Sequence, residues 1–121
     1  MLDLSPFENL LLRGGFHIVG VRLTADALFD PLRRAAVAQT RICGNAFHIL
    51  LRADLNELEL SVSMYHEILE AATVASANPP QSVLEMNEGD FEQAAQRAHQ
   101  TYGVATPKTL NRMLADFGFE G

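Results

Sequence analysis

Cysteine occurs once in the 121 residues, at position 43. A single thiol closes no intramolecular disulfide and builds no multi-cysteine zinc site. Flanked by Ile42 and Gly44, Cys43 is expected to be a small buried residue at an element boundary. Long apolar runs are also missing. None approaches the ~20 residues needed to cross a bilayer, so no membrane partner is expected. The opening Met1-Leu2-Asp3-Leu4-Ser5-Pro6 has no basic stretch ahead of an apolar one. It therefore does not read as a secretory signal, and the expected location is cytoplasmic. Basic residues are scarce, nine against fifteen acidic ones, for a formal net charge of -6. Phosphate contacts need clustered Lys and Arg, so no nucleic-acid partner is expected.

What is present suits one domain covering residues 1–121. A chain of this length buries roughly two-thirds of its unfolded surface and holds a core without cross-links. Its 48% hydrophobic content is that of an ordinary globular protein. Ser5-Pro6-Phe7-Glu8 has the pattern of a helix start, with Ser5 as cap, Pro6 in the first turn and Glu8 as capping-box partner; Gly14-Gly15 would end that helix. Phe16 to Leu23 and Phe47 to Ala53 are rich in β-branched and apolar residues and predict strands. A helix restarting at Asp30-Pro31 is expected to run to about Ile42. Asn56 with Glu59 predicts the start of a long helix, and Leu58, Val62, Tyr65, Leu69 and Ala72 recur along it at helical spacing. Further helices are predicted from Glu88 or Asp90 to Tyr102, and from Thr106-Pro107 to Phe117. The expectation is an α+β fold: a small two- or three-stranded sheet packed by four or five helices.

The chemistry concentrates on the Asn56 helix. His66 and Glu70 stand four residues apart, so they project from one face a turn apart and can both reach one cation. Glu67 is offset by ~100° and could bond a metal-held water without being a ligand. A metal that lowers the pKa of bound water toward ~7, beside an unliganded carboxylate, is what metal-assisted hydrolysis requires.

The segment Tyr65-His66-Glu67-Ile68-Leu69-Glu70-Ala71 resembles the His-Glu-x-x-His helix of zincin metallopeptidases. Glu92-Gln93-Ala94-Ala95-Gln96 is similar to the Glu-x-x-Ala segment from which the gluzincin branch takes its third ligand, with Gln96 at the acidic or amide position. The resemblance covers about residues 46 to 100. It implies a minimal gluzincin-type core in which a strand, the motif helix, a loop and a glutamate helix follow in order. It also implies a divalent metal, zinc by family habit, held by His66, Glu70 and Glu92, with Glu67 as catalytic general base on a peptide or protein substrate. Glu70 stands where the family has its second histidine. One imidazole with two carboxylates shifts preference toward manganese or magnesium. Neighbouring carboxylates repel without a metal, which raises one pKa. Glu88, one turn before Glu92, is the nearest substitute for it as a ligand.

The rival reading is a non-catalytic interaction or homodimerisation module, or an inactive peptidase scaffold, with no metal. There Glu59, Ser63, His66, Glu70 and Thr73 form a solvated helix face, and Glu92 is a first-turn glutamate favoured by the helix dipole. His99 is expected at the surface, Tyr65 in the core, and His17 and His48 in strands. Arg33-Arg34 is too small for a phosphate patch, and Gly14-Gly15 lacks the spacing of a nucleotide loop.

Overall fold

The computed structural model describes residues 2–30 and 32–120. Strand β1 (Leu10–Leu11), β2 (His17–Thr24), β5 (Ala38–Cys43) and β6 (Ala46–Arg52) form one sheet in the order β1-β2-β6-β5. β2 runs parallel to β6, and the other pairs are antiparallel. β3 (Leu28–Phe29) and β4 (Ala35–Ala36) make a separate two-stranded ribbon. Three α-helices follow: α1 (Glu57–Ala75), α2 (Glu88–Tyr102) and α3 (Pro107–Asp116). The fold is α+β.

Alternation along the strands separates the sheet's two faces. Phe47, Ile49 and Leu51 of β6 are buried, and they pair with Ile18, Val21 and Leu23 of β2. Phe16 stacks on Phe47 with ring centroids 5.5 Å apart, and Phe119 meets Phe16 edge-on at 5.8 Å. The alternate positions, among them Arg22, His48, Leu50, Gln39 and Arg41, lie on the other face. Helices cover only the apolar side, as an amphipathic sheet of this kind requires.

Each helix starts on a capping box. Asn56 and Glu59 cap α1, Asn87 and Asp90 cap α2, and Thr106 and Thr109 cap α3. Gly103 ends α2 at φ +83°, a conformation that costs glycine nothing, and its N–H donates to the His99 carbonyl at 2.8 Å. Tyr65 is fully buried and donates its hydroxyl to the Gly103 carbonyl at 2.8 Å, tying α1 to the end of α2. Ser61, also fully buried, lies 2.8 Å from His99 Nδ1 and accepts from the Ala105 N–H at 2.9 Å. His99 is therefore partly buried and engaged, in contrast to the expected surface position.

Other expectations change too. The helix expected from Ser5 is a single 3₁₀ turn, Ser5–Phe7, followed by β1. Asp3 takes both the backbone N–H and the hydroxyl of Ser5, so Ser5 does not cap, and Glu8 pairs with Arg22 on β2 instead of reaching back. The helix expected over 30–42 is replaced by β4 and β5; Pro31, which was to open it, lies outside the described residues. Cys43, expected to be buried, is exposed at the end of β5 because it falls on the open face of the strand. Leu58, assigned to the apolar stripe of α1, is 54% exposed. The buried surface of α1 instead includes Leu60, Met64, Ile68 and Ala71, because the helix contacts strands as well as α2 and α3. Among the described residues, no helix is long and apolar enough to cross a membrane.

Candidate metal centre

His66, Glu67 and Glu70 sit in the middle of α1, held there by Tyr65, Ile68 and Leu69, whose side chains are fully buried. Each of the three polar residues presents one ligand atom, and these atoms all lie within 4.8 Å of one another. Ligands ~2.1 Å from a common ion stand at most ~4.2 Å apart, so small side-chain rotations would close the group on one cation.

Three neighbouring elements complete the surroundings. From β5, the Thr40 hydroxyl donates to Glu67 Oε1 at 2.8 Å. From α2, Glu92 Oε1 lies 2.9 Å from His66 Nδ1, and Glu88 Oε2 lies 3.2 Å from His66 Nε2. A carboxylate thus stands at each ring nitrogen, and which nitrogen donates follows from the tautomer of the imidazole. Glu92 Oε2 accepts from the Gln96 amide at 3.0 Å. Phe91 backs the imidazole at 6.3 Å between ring centroids. The His66 side chain is 12% exposed against 64% for Glu88 and 45% for Glu92, so the group opens to solvent on the α2 side.

Crowding leaves a clear electrostatic mark. Glu70 is pushed up to about 8, first by burial, then by its hydrogen bond to Glu88 and the charges of Glu88 and Glu67. In the bond between them Glu70 is the donor side and Glu88 the acceptor side. Glu88 is correspondingly held below its ordinary value, chiefly by that bond. Burial raises Glu67, opposed by the Thr40 hydrogen bond and by His66. A divalent cation would replace the proton on Glu70 and relieve the repulsion among the carboxylates.

The four sequence-selected residues thus lie together, but not on equal terms. His66, Glu67 and Glu70 converge, while Glu92 meets the imidazole on its Nδ1 side. Glu70, His66 and Ser63 do not form a solvated face: Ser63 is buried and the other two are half-buried. Thr40 was not singled out from the sequence, and Phe91 was read only as one of the inward residues of α2, with Ala94, Ala95 and Ala98. Strict alternation of Ala38, Thr40 and Ile42 with Gln39, Arg41 and Cys43 carried a strand signal that would have brought Thr40 to the helix side.

The sequence matches no family model, and neither a curated protein nor a solved structure matches it.

Proposed function

We propose that this protein binds a divalent cation at the group formed by His66, Glu67 and Glu70. The supporting observation is their convergence within 4.8 Å on a half-buried helix face. Like charges crowd there at a cost that a dication would remove. One imidazole with carboxylates favours manganese or another oxygen-preferring dication over a thiolate-preferring one. Isothermal titration of the full chain with Mn²⁺ and Zn²⁺ tests the reading. One ion per chain for wild type and loss of binding in His66→Ala is the expected result; heat of dilution alone from wild type overturns it.

The zincin resemblance adds a second reading, metal-dependent peptide hydrolysis with Glu67 as general base. The observation in its favour is the burial that raises the proton affinity of Glu67 beside the cation site. Glu67→Gln separates the two. Unchanged metal affinity with lost cleavage of a peptide library supports the base; weakened affinity makes Glu67 a ligand and sets hydrolysis by this route aside.

A further inference from the structure

We infer that Glu88 of α2 is a ligand of the proposed cation and that Glu92 is a positioning residue that aims His66, so that the ion staples α2 to α1. The inference rests on the cation-binding reading above and goes beyond it by redistributing the roles of the α2 carboxylates.

The two imidazole nitrogens point in diverging directions, so one ion cannot sit at both. Metal-bound histidines use one nitrogen on the ion and give the other N–H to a carboxylate or carbonyl. Here a carboxylate stands at each nitrogen, Glu92 at Nδ1 and Glu88 at Nε2. Their surroundings distinguish them. Both oxygens of Glu92 are engaged, one at 2.9 Å from Nδ1 and the other accepting from Gln96 on its own helix. That arrangement holds a carboxylate as an acceptor for an N–H. Glu88, by contrast, touches both Nε2 and Glu70, which belongs to the converging group.

The separations agree. Two ligands ~2.1 Å from one ion are ~3.0 Å apart along an octahedral edge and ~3.4 Å apart along a tetrahedral one. His66 Nε2 and Glu88 Oε2 are 3.2 Å apart. An ion placed against Nε2 would meet Glu88 at that separation, with Glu70 bonded to Glu88 beside it. Glu92 would lie outside its shell, fixing the ring from behind.

The test compares full-length wild type, Glu88→Gln and Glu92→Gln by titration with Mn²⁺, and follows the ¹⁵N signals of His66 with Zn²⁺ as the ion. Both substitutions are nearly isosteric at exposed side chains, and a circular dichroism melt verifies the fold of each. Glu88→Gln is expected to weaken Mn²⁺ by more than ~100-fold, beyond the ~10–100-fold that loss of an outer partner costs. Glu92→Gln is expected to stay within that smaller range. In wild type the Zn²⁺-dependent shift falls on Nε2 and Nδ1 keeps its proton; in Glu92→Gln the metal-free ring divides between tautomers. Wild-type affinity in Glu88→Gln, or a metal shift on Nδ1, overturns the inference while leaving cation binding intact. Absence of any binding by wild type removes the parent reading as well.

Discussion

The sheet and the α1–α2 helix pair carry opposite charge. Strands β1, β2, β5 and β6 contain no acidic residue, yet hold Arg22, Arg41 and Arg52 with His17 and His48. α1 and α2 together carry Glu57, Glu59, Glu67, Glu70, Glu88, Asp90 and Glu92 against one arginine, Arg97. The difference lies less in sign than in spacing. On the sheet, Arg22 pairs with Glu8 and Arg52 with Asp54, each at the surface and each with an opposite charge. On the helices, Glu67, Glu70 and Glu88 are pressed together, and their crowding helps push Glu70 up to about 8. Charges arranged for stability find partners; charges crowded against their own repulsion suggest a ligand that is meant to arrive.

Breaking the sheet should cost the most. Phe47 is fully buried and stacks on Phe16. Phe47→Ala is expected to lose ~3–5 kcal/mol in urea denaturation. If the layers have separate tasks, whatever remains folded should bind Mn²⁺ as wild type does. His66→Ala, on the other layer, is expected to reverse that pattern: affinity for Mn²⁺ falls by more than ~100-fold, about 2.8 kcal/mol. The chelated chain should meanwhile melt within a few degrees of wild type.

A smaller effect has its sign set by Glu70. Its ordinary value of 4.5 rises to about 8 on folding, so the folded chain keeps a proton that the unfolded chain has released between those values. Stability of the metal-free protein should therefore fall as pH rises from about 4.5 through about 8. Glu70→Gln stays neutral throughout and still donates to Glu88, so its melting temperature should vary less over that window. Parallel curves by calorimetry would show that Glu70 ionises as an ordinary carboxylate. Smallest of all, Arg22→Ala removes an exposed ion pair and should change stability by no more than ~0.5 kcal/mol in the same denaturation assay. A loss several times larger would mean that the sheet's charges matter as much as those of the helices.

Much of the helical layer was legible because its signals are local. Asn56, Asn87 and Thr106 each cap a helix through residues three positions on, and Phe91, Ala94, Ala95 and Ala98 mark the inner face of α2 as their spacing implied. The N-terminal third was less legible because its structure is decided at a distance. Leu10 becomes a strand residue only by pairing with Ile18, and Thr40 only by pairing with Ile49. The Ala-rich stretch before Cys43 has helical composition, but β6 would otherwise lack a partner on that side, and tertiary pairing overrides propensity. The motif residues could be read as a group from their spacing on one helix. The separate duties of Glu88 and Glu92 could not, since sequence shows that both are one turn apart on α2 but not which ring nitrogen each one faces.

Pairing of β5 with β6 also guards the chemistry of the other layer. Thr40 opposite Ile49 turns a neutral hydroxyl toward Glu67. A slip of one residue in either direction would invert the strand and send Gln39 or Arg41 to that place. Arg41 there would thrust a guanidinium among the glutamates and compete with the proposed cation for them. Correct alignment at the margin of the sheet thus keeps a fixed positive charge away from the helix glutamates, and a misaligned chain would neutralise them from within.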